Sequence, residues 1–292
     1  MFRRFAKLDK CESARQVVGM IRSSLFNLFF YAVTAIYAVI GVIFSLVPGR
    51  ALLMGSLRRY TKVVRWGMRV IVGIKVEVSG HERVPHDGPV ILAAKHQSYG
   101  DGIIMFHQFD DLSFVTGDHL EKFWLIKVIL AKMNAVVVEH CGGSANRARM
   151  AETSRIVREQ GRRILIYPEG HLSRIGTRHP YKKGVWHLQQ DFDCPVVPVA
   201  TNLGQRWNQT DWMKYPGHAK VEFLDPLPTG LGKDEFMTLL EDRIESRSQE
   251  LLDLNDLGAL NPDDMGRVEL NSVAQARQDA RTKDTATETA DS

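Results

Sequence analysis

The longest apolar stretch comes first in the chain. Leu25 to Leu46 holds no charged residue and is rich in Leu, Phe, Val, Ile, Ala and Tyr. As a helix its 22 positions reach about 33 Å, enough to cross a hydrocarbon core. The run ends in Leu46-Val47-Pro48-Gly49-Arg50, which lacks the small-x-small pattern of a cleaved leader. Ala51 to Ile74 then alternates Arg and Lys with Leu, Met, Trp, Val and Ile, the pattern of a basic amphipathic helix on a membrane surface. A soluble core helix has the same periodicity. Both flanks of the apolar run are basic, so charge leaves its orientation open. A re-entrant or interfacial helix would put both flanks on one side, and a spanning helix would separate them.

From Lys75 the pattern changes to short strands alternating with helices. Lys75–Val78, Val90–Ala94, Ser113–Thr116, Ala135–Val138, Arg163–Tyr167, Val196–Ala200 and Lys220–Leu224 read as strands. Pro198 marks its strand as an edge or a bulge. Gly102–Gln108, Phe123–Lys132, Ala145–Gln160 (stopped by Gly161) and Asp234–Leu254 read as helices. Alternation of this kind predicts an α/β fold: a largely parallel mixed sheet flanked by helices, with an N-terminal membrane-embedded helical segment. The predicted organisation is 1–74 as membrane-anchoring helices, 75–256 as the catalytic domain and 257–292 as a polar, disordered tail.

Charge sharpens this division. The net charge is +4, yet the tail from Asn255 to Ser292 carries eight acidic and four basic residues. Basic residues crowd the N-terminal region, from Arg3, Arg4, Lys7 and Lys10 to Arg58, Arg59, Lys62, Arg65 and Arg69. Anionic lipid head groups attract such flanks by about 1 kcal/mol per basic residue. Nucleic acid is the rival partner for a basic region, but an uncharged apolar run in its middle argues against it. Cys11, Cys141 and Cys194 are scattered, with no CxxC, which fits a reducing compartment and no zinc site.

Two segments carry candidate chemistry. His96-Gln97-Ser98-Tyr99-Gly100-Asp101 follows the strand Val90–Ala94, at the strand end where open α/β sheets present their sites. A turn through Ser98-Tyr99-Gly100 folds the Asp101 carboxylate back onto the His96 imidazole, fixing its tautomer and leaving the other ring nitrogen free as a base. Ser98 is a weak candidate nucleophile, outside any nucleophile-elbow context. Tyr167-Pro168-Glu169-Gly170 follows a second apolar strand and leads into a loop with Arg174, Arg178, Lys182 and Lys183. Such a loop suits a phosphomonoester. Neither HExxH nor another metal signature is present.

In order and spacing these blocks resemble the glycerolipid acyltransferases, in particular the 1-acyl-sn-glycerol-3-phosphate acyltransferases. The first block of that family is matched by His96 and Asp101, with Ser98 at its usual serine. The second reads here Asn134-Ala135-Val136-Val137-Val138-Glu139-His140. The third, Phe-Pro-Glu-Gly-Thr-Arg-Ser in the family, reads Tyr167-Pro168-Glu169-Gly170-His171-Leu172-Ser173, and the fourth Val196-Val197-Pro198-Val199. The resemblance implies His96 as base and Asp101 as its partner. It implies that Glu169, Gly170, Arg174, Lys183 and Ser98 bind the substrate. The implied reaction moves an acyl group from acyl-CoA or acyl carrier protein to lysophosphatidic acid, with no metal or organic cofactor. The implied location is the inner (cytoplasmic) membrane, catalytic domain on the cytoplasmic side, among membrane lipids. His140 and Asn134 replace the second-block arginine and glycine, and His171 and Leu172 replace the third-block threonine and arginine. Those losses leave open an acceptor such as a lyso-ornithine lipid, or a non-catalytic lipid-binding protein on this fold.

Overall fold

A computed structural model describes residues 2–138 and 144–269. Its centre is a seven-stranded sheet in the order β1-β7-β6-β2-β5-β3-β4. The strands are β1 (Ile74–Ser79), β2 (Val90–Ala94), β3 (Leu112–Gly117), β4 (Val136–Val138), β5 (Arg163–Ile166), β6 (Val196–Thr201) and β7 (Gly217–Phe223). Every neighbouring pair is parallel except β6 with β7. The helices are α1 (Phe2–Ser45), α2 (Ala51–Gly67, continued by a π-turn Met68–Val72), α3 (Gly100–Gln108), α4 (Trp124–Met133), α5 (Ser144–Glu159), α6 (Gly184–Phe192) and α7 (Lys233–Glu250).

The central strand shows why the sheet is covered on both faces. All of β2 is buried, and its side chains alternate between two cores. Val90, Leu92 and Ala94 join Phe26, Val64, Met68 and Ile104 from α1, α2, their continuation and α3. Ile91 and Ala93 join Val157, Val185, Leu188, Leu240 and Ile244 from α5, α6 and α7. A continuous apolar run is what a strand between two helical layers requires.

Three expectations change. β6 is neither an edge nor bulged: it lies between β7 and β2 and is fully buried. Its ladder to β2 is kept by Ile91 N–H donating to Pro195 O and Lys95 N–H to Val199 O, both at 3.0 Å. On the other side the ladder to β7 starts at Val199 opposite Phe223, and Pro198 adjoins it through its carbonyl alone, which accepts from Leu224 N–H at 2.9 Å. Helix α6 had no prediction. The third change concerns the segment from 257, expected to be disordered. As far as Glu269 it is docked: Leu260 is buried beside Ile175 and Leu252, and Val268 bridges to Arg178. Gly266 N–H donates to Gly176 O at 2.9 Å and Arg178 N–H to Arg267 O at 2.8 Å, so backbone pairing substitutes for the missing apolar content. Residues 270–292 lie outside the described residues.

The N-terminal helix is seated on the domain. Phe26 is fully buried, with its ring edge-on to Trp207 at 5.1 Å. Asn27 Nδ2 donates to Trp212 O at 3.2 Å, and Lys214 N–H to Ser23 Oγ at 2.9 Å. The apolar run is long enough to cross a bilayer, yet its first turns belong to the core beneath the sheet. Phe26→Ala is expected to lower unfolding stability by ~3–5 kcal/mol, read as a drop in the denaturant midpoint.

Candidate active site

His96 stands just beyond β2, and Asp101 in the first turn of α3. The carboxylate oxygen Oδ2 of Asp101 accepts from Gln97 N–H and Ser98 N–H, each at 2.7 Å, and lies 3.1 Å from His96 Nδ1. Two backbone donors hold that oxygen, so its position is set before the imidazole arrives. An ionised carboxylate only accepts, so Nδ1 carries the proton and Nε2 is left as the free base. The Asp101 side chain is 3% exposed and that of His96 is 21% exposed, which leaves the ring open to a substrate. Ser98 is fully buried, and its hydroxyl accepts from Gly100 N–H at 3.0 Å. It shapes the turn that opens α3.

The Tyr167 ring stacks on the His96 ring, with centroids 3.8 Å apart and planes 14° from parallel. Burial, and secondarily the Asp101 charge, pushes the Tyr167 phenol well above its usual pKa, so the hydroxyl stays protonated. Sequence reasoning treated this residue only as the variant of a family phenylalanine. Its position four residues past the start of β5 gave no sign of the stack.

The third block forms a clamp around the His96 peptide. Glu169 Oε1 accepts from His96 N–H at 2.9 Å. Ser173 N–H and Oγ donate to His96 O at 2.8 and 3.0 Å. Glu169 is fully buried, and its other oxygen is taken by Lys95 Nζ at 3.0 Å. Both Glu169 oxygens are thus engaged by the protein, and the residue holds the His96 peptide, a contact the sequence reading did not foresee. Gly170 follows with φ +70, a conformation that favours glycine. A Cβ there would lie 2.5 Å from Lys182 Nζ, because the lysine side chain crosses the glycine.

Arg174, Lys182 and Lys183 are exposed, and none makes an ion pair with a described residue. Gly170 and Lys182 border the His96 loop, with Lys182 N–H donating to Pro168 O at 2.8 Å. At the third-block threonine position, His171 Nε2 lies 3.1 Å from His179 Nδ1, while His171 Nδ1 lies 2.9 Å from Glu169 O. Burial, with His171 beside it, lowers the His179 pKa. Asn134, at the second-block glycine position, adopts φ 53 and ψ 47 and ends α4. Asparagine tolerates that left-handed conformation better than other side chains, which explains how the glycine is dispensed with. His140 lies outside the described residues.

Residues 75–202 match the family model described as Acyltransferase. That segment, a little under half of the chain, carries the match to an acyltransferase domain. A 1-acyl-sn-glycerol-3-phosphate acyltransferase of Pseudomonas aeruginosa is 27% identical over 205 residues, 70% of this chain and 79% of that protein. The alpha form from Mus musculus is 26% identical over 180 residues, 59% of this chain, and this chain spans only 62% of it. The crystal structure of the 1-acyl-sn-glycerophosphate (LPA) acyltransferase PlsC from Thermotoga maritima shares the fold. Its TM-score is 0.65 at 21% identity, covering 79% of this chain and 96% of that one. The matched segment ends just after β6, so β7 and α7 lie beyond it although they pack in the same fold.

Asp101→Asn keeps an amide oxygen at the position shared by the two backbone donors and His96 Nδ1, but removes the negative charge that would stabilise the imidazolium. Turnover is expected to fall by ~10²- to 10⁴-fold with the melting temperature little changed, measured as initial rates beside a thermal melt.

Proposed function

We propose that this protein transfers a fatty acyl group from a thioester, acyl-CoA or acyl carrier protein, to the sn-2 hydroxyl of 1-acyl-sn-glycerol-3-phosphate, forming phosphatidic acid. The observation that carries the reading is the His96–Asp101 pair at the C-terminal end of β2, inside the matched domain. His96 Nε2 takes the hydroxyl proton as the oxygen attacks the thioester carbonyl. The new C–O bond forms, the C–S bond breaks, and the leaving thiolate takes the proton back from the imidazolium. Asp101 stabilises that transient cation. No acyl-enzyme is needed, so holding the two reactants together supplies much of the acceleration.

Lys182, Arg174 and Lys183 hold the acceptor's phosphate in place of the absent third-block arginine. Their exposure and the lack of a carboxylate partner among the described residues support this role, as does the place of the Lys182 side chain across Gly170.

The N-terminal helices hold the domain in one leaflet of the cytoplasmic membrane. Leu25, Leu28, Ile36, Val39 and Ile43 of α1 and Leu52, Trp66 and Val70 of the following segment are exposed. Exposed basic residues Arg58, Arg59, Lys62 and Arg69 accompany them. Because Ser23, Phe26 and Asn27 are docked on the domain, a helix lying in the leaflet keeps both basic flanks on the cytoplasmic side. Vesicle flotation checks this: Leu28→Asp/Ile36→Asp/Ile43→Asp is expected to shift the protein from the lipid fraction to the soluble fraction.

The loss of the family arginines keeps a lyso-ornithine lipid as the competing acceptor. Labelled acyl-CoA and acyl carrier protein, each offered with lysophosphatidic acid and lyso-ornithine lipid together, decide between them. Phosphatidic acid is expected as the main product. Lys182→Ala is expected to raise KM for lysophosphatidic acid ~10-fold, the effect of losing one hydrogen bond to a charged group. Preference for lyso-ornithine lipid, or a KM indifferent to Lys182 and Arg174, would overturn the acceptor.

A further inference from the structure

Behind His96 lies a charged cluster that the reaction itself does not use. Lys95, 1% exposed, places Nζ 3.0 Å from Glu169 Oε2 and 3.2 Å from Thr177 O. The same ammonium lies 2.7 and 3.0 Å from the two oxygens of Glu245, on α7. The Tyr181 hydroxyl donates to Glu245 Oε1 at 2.9 Å. Each oxygen of both carboxylates therefore accepts a hydrogen bond, and the three charged side chains are 0–2% exposed. Burial works against the Lys95 ammonium, but Glu169 and Glu245 overcome it and hold its pKa above the ordinary lysine value.

Stability alone is a poor reason for such a cluster, since apolar side chains of similar volume often do as well or better. The neighbouring buried positions of α7, Phe236, Leu240 and Ile244, are apolar and already join the helix to the sheet. The cluster adds a fixed chain of contacts. It runs from α7 through Glu245 to Lys95, from Lys95 to Glu169, and from Glu169 to the His96 N–H. Lys95 and His96 are consecutive and face opposite ways, one toward α7 and the other against Tyr167. Helix α7 is thereby tied to the peptide that carries the base.

We propose that Glu245 and Lys95 are positioning residues for acyl transfer, acting through Glu169 to set the placement of His96 relative to Asp101 and the acceptor hydroxyl. Glu245 lies outside the matched segment 75–202 and touches no candidate substrate group. The proposal rests on the acyl-transfer reading above.

A double-mutant cycle in the full-length protein tests it, with Glu169→Gln and Glu245→Gln made singly and together and assayed with lysophosphatidic acid, lyso-ornithine lipid and acyl-CoA. Glu245→Gln keeps the side-chain volume and removes one buried charge. Its kcat is expected to fall ~10- to 100-fold, as a small misplacement of the base would cause, with KM for both substrates nearly unchanged. The double variant is expected to be no slower than Glu169→Gln alone, because one residue acts through the other. If Glu245→Gln does not fold, Tyr181→Phe takes its place in the cycle, with a kcat loss of ~3-fold that vanishes in the Glu169→Gln background. Unchanged kcat in an active protein, or losses that multiply in the double variant, overturn this inference alone. A wild type silent with both acceptors, and with acyl carrier protein as donor, overturns the acyl-transfer reading and this inference with it.

Discussion

The peptide of His96 is the constraint on which the rest of the site depends. Its N–H is held by Glu169, its carbonyl by Ser173, and its ring by Asp101 on one edge and Tyr167 across one face. These groups come from two parallel strands and the segments that follow them. β2 and β5 are paired in register, Val90 opposite Arg163 through Ala93 opposite Ile166. The register brings the segment that starts at Tyr167 alongside His96. Pre-set hydrogen-bond geometry of this kind lets a base act without reorganisation at the moment of reaction. Removing Glu169 would leave the His96 N–H without its acceptor and the buried Lys95 ammonium with one carboxylate fewer, a cost for groups away from water.

The N-terminal helix is held in a similar way. An apolar helix of this length could leave the domain and cross a bilayer by itself, but α1 is pinned by Phe26, Ser23 and Asn27 to the core that backs β2. The exposed apolar residues of α1 and α2 are thereby carried by the layer that packs directly on the catalytic strand. An acyltransferase working on lipids with one and two tails needs its base close to the lipid surface. On the proposed reading, docking α1 on the catalytic domain meets that need without a linker.

Much of this was legible in the residues because it is local or periodic. The buried run Val90–Ala94, the His96–Asp101 spacing and the Glu169-Gly170 turn each occupy a few consecutive positions whose physics is self-contained. What escaped reading is non-local. Nothing near Lys95 announces that its partner is Glu245, 150 positions away. A lysine in sequence reads as a surface charge, and only the packing of α7 shows it to be buried. Tyr167 looked like a conservative exchange for phenylalanine until its ring was found against His96. Proline usually marks an edge, but Pro198 sits in a central strand at the end of the β7 ladder, where its carbonyl alone is used. The stretch 257–269 is polar enough to read as disordered, and its order comes from backbone pairing with the loop around Arg178, to which composition is blind.

The most direct measurement is the rate of phosphatidic acid formation by purified wild-type and His96→Ala protein in lipid bilayers, followed by mass spectrometry with acyl-CoA or acyl carrier protein as donor. The account predicts steady turnover by the wild type and a loss of ~10²- to 10⁴-fold in the variant, the contribution of a general base. Equal rates in the two proteins would contradict it.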